Sequence, residues 1–134
     1  MADCIFCKII KGDIPYTKIY EDKDTLAFLD NSPASLGHTL VIPKKHSETL
    51  DQMEEKDLKS LILTAQKIAK AISQISKGYN LIQNNGKVAG QIVSHVHFHL
   101  IPRNKKTELN WTPSQKFSEK EIKEVTNKIK TLLK

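Results

Sequence analysis

The stretch His95-Val96-His97-Phe98-His99-Leu100-Ile101 alternates imidazole with apolar side chains. A period of two belongs to an extended strand, so His95, His97 and His99 project from one face and Val96, Phe98 and Leu100 from the other. The strand is expected to run from Val93 to Ile101 and to stop at Pro102, with consecutive imidazoles ~6.5–7 Å apart at their Cα atoms. Three of the chain's five histidines fall in this stretch, and aligned imidazoles titrate near neutral pH. Two tasks suit them. Alternate histidines can converge on zinc. Alternatively, one imidazole can act as a nucleophile while its neighbours donate hydrogen bonds to a phosphate.

Outward from this strand, the pattern predicts a small α+β domain. Ile5 to Ile10 starts a short helix, ended by Gly12 and Pro15. Lys18–Glu21 and Thr25–Leu29 are β-prone runs separated by Asp22-Lys23-Asp24, a hairpin signal. Gly37 to Pro43 is a third strand. From Glu54 to Lys77, apolar residues from Leu58 to Ile75 recur every three or four positions, the stripe of one long amphipathic helix, with Gly78 expected as its stop. Tyr79 to Gln83 returns to strand character, and Asn84 to Gly90 is a glycine-containing loop. Ser118-Glu119-Lys120-Glu121 is a capping box that opens a C-terminal helix over about 118–133. This order implies a mainly antiparallel sheet with one long and one C-terminal helix, in a single domain over 1–134.

The chain is 39 % hydrophobic and 27 % charged over 134 residues, a globular composition with room for a core. No apolar run approaches the ~20 residues that cross a bilayer, and Met1-Ala2-Asp3-Cys4 lacks the features of a secretory signal. A cytoplasmic protein with no membrane partner is expected. Of the net charge of +6, most lies after residue 102, where nine Lys/Arg face four Glu. Only Trp111 and Phe117 interleave that basic stretch, so it reads as solvated surface and nucleic acid is not expected as a partner.

Cys4-Ile5-Phe6-Cys7 is a C-x-x-C pair. A redox role wants a preceding strand, which this position lacks, and two cysteines make no disulfide framework. A zinc site would need two more ligands, and these can only be histidines, from His38, His46 and the aligned three. Such a closed four-ligand site would be structural, leaving catalysis to imidazole itself.

These residues together resemble the histidine-triad (HIT) family of nucleotide hydrolases and transferases. The likeness rests on His95-x-His97-x-His99, Cys4-Ile-Phe-Cys-Lys-Ile-Ile, Leu26-Ala-Phe-Leu-Asp30, the run from Gly37 to His46, Asn84, Gly90-Gln91 and Pro102-Arg103. It covers a core from residue 4 to 103, with the basic C-terminal extension outside it, and is nearest to the zinc-containing bacterial-type, Hint-like branch. The resemblance implies that His97 attacks the α-phosphorus of a purine nucleoside phosphoramidate or (di)nucleoside polyphosphate, giving a nucleotidyl-histidine that water hydrolyses. His99 would bond the phosphate or leaving group. Asp30 would bind the ribose hydroxyls, and Ile5, Phe6, Ile9, Phe28 and Leu29 would line the base. Asn84, Gly90 and Gln91 would approach the ribose and phosphate. Cys4, Cys7, His46 and His95 would hold a structural Zn²⁺, with no organic cofactor, while His38 would merely stabilise its strand or face solvent. A two-fold dimer with a continuous sheet is also implied, and Trp111-Thr112-Pro113 is similar to an element at the site entrance of some relatives.

One departure stands out. Many relatives carry Ser or Thr after Gly-Gln, whereas this chain has Ile92, with Ser94 two residues on. Losing one hydroxyl bond weakens transition-state binding by roughly 1 kcal/mol or more. This keeps open the reading of a nucleotide-binding regulatory module with little turnover.

Overall fold

The computed structural model describes residues 3–107, 109 and 116–134, so Trp111-Thr112-Pro113 lies outside the described residues. Helix α1 (Ile5–Lys11) is followed by strands β1 (Lys18–Glu21), β2 (Thr25–Leu29) and β3 (Thr39–Pro43), then by the long helix α2 (Glu55–Ile75). Strands β4 (Gly78–Ile82) and β5 (Phe98–Arg103) and helix α3 (Glu119–Leu132) complete the order. The strands form one sheet in the order β1-β2-β3-β5-β4, and every pairing is antiparallel. The α+β fold expected from the sequence is the one observed.

Both faces of the sheet are covered, which explains why β2 and β3 read as unbroken apolar runs. On one face, Leu61, Ala65, Ile68 and Ile72 of α2 and Val125 and Ile129 of α3 pack on Ala27, Val41, Val96, Phe98 and Leu100. On the other, Phe6 and Ile9 of α1 lie over Leu26, Phe28, Leu40 and Ile42. His99 pairs with Leu40 across β3 and β5, so it faces the α1 side. The alternation around the histidines thus separates a helix-packed core from a second, smaller layer that α1 only partly fills.

Beside shifts of one or two residues, such as β3 starting at Thr39 rather than Gly37, three boundaries differ from expectation in ways that bear on the site and the sheet. The histidine strand begins at Phe98 rather than Val93. His95 N–H bonds the carbonyl of Val93 in a tight bend, and Val96 N–H bonds that of Ser47 instead of a strand partner. The strand also runs through Pro102 to Arg103, because β5 there extends past its last pair with β3 (Thr39 with Leu100). The missing proline N–H therefore breaks no ladder on that side. Finally, α2 ends at Ile75 with Ser76 already extended, and Gly78 opens β4 instead of capping the helix.

The C-terminal capping box is present, with Ser118 Oγ accepting from Glu121 N–H and Glu121 Oε1 accepting from Ser118 N–H. Gly37, at φ 92°, lets the loop before β3 press on α3: a Cβ there would lie 3.2 Å from Val125 and 3.3 Å from Pro102.

Ile68 is wholly buried in the α2–sheet layer, and Ile68→Ala is expected to lower the unfolding free energy by about 2–5 kcal/mol in a urea titration.

Candidate active site and metal centre

Cys4, Cys7, His46 and His95 bring one donor atom each to within 4.8 Å of one another. Cys4 caps the start of α1, its sulfur accepting the Cys7 N–H. His46 follows β3, and the bend before β5 turns His95 toward the same point. His95 Nε2–H donates to the Pro43 carbonyl at 2.8 Å, which leaves the Nδ1 lone pair for the cluster. That nitrogen lies 3.4 Å from Cys4 Sγ, 3.7 Å from Cys7 Sγ and 3.1 Å from His46 Nδ1, and His46 Nδ1 lies 3.4 Å from Cys7 Sγ. A tetrahedron with metal–sulfur bonds of ~2.3 Å and metal–nitrogen bonds of ~2.0–2.1 Å has edges of roughly 3.3–3.8 Å. The donor set therefore fits a tetrahedral zinc ion, and an imidazole N–H given to a carbonyl is the usual outer partner of a metal-bound histidine.

Beside this cluster lies a cavity of about 380 Å³. Phe6, Ile9, Phe28, Leu29 and the half-exposed Ile5 give it apolar walls, with Tyr16 and Leu40 alongside. Phe6 meets Phe28 edge-on at 5.6 Å and His97 at 5.1 Å. Asp30, Asn31 and Ser32 form a polar end. Burial pushes the Asp30 carboxyl up, partly offset by the Ser32 N–H it accepts. His38, Gly90, Ile92, Val93, His97 and His99 also line it.

Hydrogen bonds assign the proton on each of three imidazoles. His97 Nδ1–H donates to the His95 carbonyl at 2.7 Å, so in the neutral ring Nε2 carries the lone pair. His38 Nδ1 accepts the Ala34 N–H at 3.0 Å. Its proton therefore sits on Nε2, which lies 3.0 Å from His99 Nδ1 and 3.6 Å from an Asp30 oxygen. His99 accepts at Nδ1 and so carries its own proton on Nε2. One imidazole in the cavity wall is thereby a base or nucleophile and its neighbour a donor, with ring centroids 4.8 Å apart. Burial holds all three below the usual histidine value, His38 at about 4 and His99 at about 3, with the nearby imidazoles adding to the shift of both.

Of the residues singled out in the sequence, Ile5, Phe6, Ile9, Phe28, Leu29, Asp30, Gly90, His97 and His99 all line this one cavity. Asn84 and Gln91 do not. Asn84 lies behind Gly90, whose Cβ would sit 3.5 Å from the Asn84 amide nitrogen. The Gln91 amide is committed to backbone: Nε2 donates to the carbonyls of Val93 and of Glu48 in the segment after β3, and Oε1 accepts the Gly86 N–H. His38 departs furthest from expectation. It is 2 % exposed and sets the tautomer of His99. A lone histidine before a strand carries no periodic signal, and only the folded register brings it opposite β5. Ser94 faces away, into a neighbouring groove.

His38 and His99 bind protons more readily unfolded, at about 6.5, than folded. Their neutral burial therefore stabilises the fold above pH 6.5, and the contribution is lost as pH falls toward 4. At pH 5 each is expected to have lost roughly 2 kcal/mol relative to pH 7. Urea unfolding at the two pH values measures this, and His38→Asn, which keeps a polar pair at the position, is expected to show a shallower decline.

The HIT domain model matches residues 11–106. The chain is 46 % identical to an adenosine 5′-monophosphoramidase of Schizosaccharomyces pombe, across 95 % of this chain and 98 % of that one. It is 49 % identical to an adenosine 5′-monophosphoramidase of Saccharomyces cerevisiae, across 76 % and 63 % of the two chains. Among solved structures, a zinc-bound histidine triad family protein from Mycobacterium smegmatis superposes with a TM-score of 0.86 at 33 % identity, covering 98 % of this chain and 94 % of that one. A Hit-like protein from Bartonella henselae gives 0.90 at 39 % identity, covering 98 % and 97 %. The alternating histidines, the cavity they face and the extent of these matches lead to one conclusion: the chain belongs to the HIT family.

Proposed function

We propose that the protein is a nucleotide hydrolase that cleaves at the α-phosphate of purine nucleoside phosphoramidates through a nucleotidyl-histidine. The observation that carries this reading is the pairing of tautomers in one cavity wall, a lone pair on His97 Nε2 beside a proton on His99 Nε2. His97 Nε2 attacks phosphorus and the bond to the leaving group breaks. His99 Nε2–H donates a hydrogen bond to the departing nitrogen, which takes its proton from water, and His38, bonded to His99 Nδ1, holds the ring in that orientation. Water then attacks the nucleotidyl-histidine and releases the nucleoside monophosphate. The His95 carbonyl stabilises the cationic His97 ring formed on attack, much as a carboxylate does elsewhere.

The ribose fits at Asp30, and the base between the apolar walls of Phe6, Ile9 and Phe28. The Gly90 backbone, at φ 94°, approaches the phosphate without a side chain in the way. Gln91 and Asn84 act by shaping that loop. The same chemistry extends to dinucleoside polyphosphates, which present an equivalent α-phosphate.

Cys4, Cys7, His46 and His95 would hold a zinc ion. With four protein ligands it supplies a structural cross-link rather than a site for water. It would tie the start of α1, and so Phe6, to the segment that carries His97. Two protomers would join through β4, a sheet edge that exposes Tyr79 and Leu81. Pairing two such edges removes an open ladder and makes the sheet continuous. Among the described residues no helix is long and apolar enough to cross a membrane.

Protein mixed with adenosine 5′-phosphoramidate and quenched without strong acid is expected to gain transiently the mass of one AMP and to release AMP. His97→Gly is expected to give no adduct and to lower release by roughly 10³-fold or more. Binding without adduct or AMP would instead indicate a regulatory module. Metal analysis of protein purified without chelator is expected to give about one zinc per chain, falling to near zero in Cys7→Ala.

A further inference from the structure

Among the chain's asparagines only Asn85 is followed by glycine. Such a pair is chemically labile, because the glycine nitrogen has no neighbouring side chain to keep it from the asparagine carboxamide. The fold nonetheless uses both residues. Asn85 Oδ1 accepts the Leu50 N–H at 2.8 Å, tying the loop to the turn Leu50–Gln52 that precedes α2. Gly86 lies at φ 92°, a conformation that side chains rarely adopt. Asn85 is exposed to water, yet its reacting groups are held. Its carboxamide pairs reciprocally with that of Gln83, at 2.9 and 2.6 Å. The Gly86 N–H donates to Gln91 Oε1 at 2.7 Å, and the Gly86 carbonyl accepts the N–H groups of Ala89 and Gln91. Gln91 is itself 6 % exposed and is anchored through Nε2 to the carbonyls of Glu48 and Val93.

We propose that Asn85–Gly86 is a modification site, a succinimide-forming pair, and that the Gln91 carboxamide restrains it. In the reaction the Gly86 nitrogen gives up its proton and attacks Asn85 Cγ. The bond from Cγ to the side-chain nitrogen breaks, and that nitrogen leaves as ammonia. Water then opens the succinimide at either carbonyl, giving aspartate or isoaspartate at position 85. The first step needs the Gly86 proton removed and the Asn85 carboxamide turned onto the Gly86 nitrogen. Gln91 opposes the former by accepting that N–H, while Gln83 and the Leu50 N–H oppose the latter by fixing the carboxamide. The two products differ in what they preserve. Aspartate still presents an oxygen to the Leu50 N–H but no longer donates to Gln83 Oε1. Isoaspartate routes the main chain through Cβ and Cγ, which lengthens by one atom the loop that ends at Gly90 in the cavity wall.

The test follows deamidation of the full, zinc-replete chain at mildly alkaline pH, by peptide mapping that separates asparagine, aspartate and isoaspartate at each site. No readout depends on catalysis, so the proposal stands or falls apart from the nucleotide chemistry. In urea at the same pH, Asn85 is expected to react faster than any other asparagine of the chain. In the folded protein its rate is expected to be lower by roughly tenfold or more. Gln91→Met removes the acceptor of the Gly86 N–H, and in that variant, shown to be folded by its urea transition, the rate is expected to rise roughly fivefold or more. If Gln91→Met does not fold, amide hydrogen exchange of the unmodified protein decides, and the Gly86 N–H is expected to be protected. Equal Asn85 rates in the folded and unfolded chain overturn the proposal. So does an unchanged rate in folded Gln91→Met, or a Gly86 amide that exchanges as it does in the unfolded chain.

Discussion

The hydrogen bond from His97 Nδ1 to the carbonyl of His95 is the contact on which the site depends. An imidazole alone does not decide which nitrogen bears its proton; a fixed acceptor does. Backbone groups make that choice repeatedly here. The Pro43 carbonyl frees His95 Nδ1 for the sulfur cluster, and the Ala34 N–H sends the His38 proton toward His99. Three neighbouring histidines thus acquire three different tasks from three main-chain partners, with no carboxylate needed to impose them. Burial reinforces the assignment by keeping the rings neutral, since a second positive charge among closely packed imidazoles would be repelled and poorly solvated.

The sheet makes this possible by being covered unequally. Helices α2 and α3 close one face with the larger core, while on the other α1 spans only part of the surface. The remaining space is the cavity. Because α1 begins at the Cys4–Cys7 pair and carries Phe6 and Ile9 in its wall, the sulfur cluster and the apolar subsite share one short helix. A change in either is transmitted through seven residues of helix with few other attachments. Under the proposed function, a structural cluster would thereby matter to binding without touching the substrate.

Much of the architecture was legible in the sequence, because period-two and period-three-to-four patterns report burial directly. The β1–β2 hairpin, the long helix and the Ser118 capping box all formed where their residues place them. The errors share a cause. Val93 to Ser94 belongs by pattern to the histidine strand, yet the turn that delivers His95 to Cys4 and Cys7 replaces strand pairing there. Gly78 looks like a helix stop but is used in a strand, since Ser76 has already left the helix. His38 is isolated in sequence and meaningful only across β3 and β5. Gln91 sits within a recognisable motif, but its side chain is spent on backbone groups, tying its loop to Glu48. Local pattern shows which residues face together; it does not show which polar atoms find each other.

The proposed chemistry requires a lone pair at His97 Nε2 beside a proton at His99 Nε2. Long-range ¹H–¹⁵N correlation NMR of the zinc-replete protein, with histidine rings labelled in ¹⁵N, reads those tautomers directly at neutral pH. A neutral Nδ1–H tautomer for His97 and neutral Nε2–H tautomers for His38 and His99 are expected. An Nε2–H tautomer or an imidazolium at His97 in the free protein would contradict the proposed chemistry.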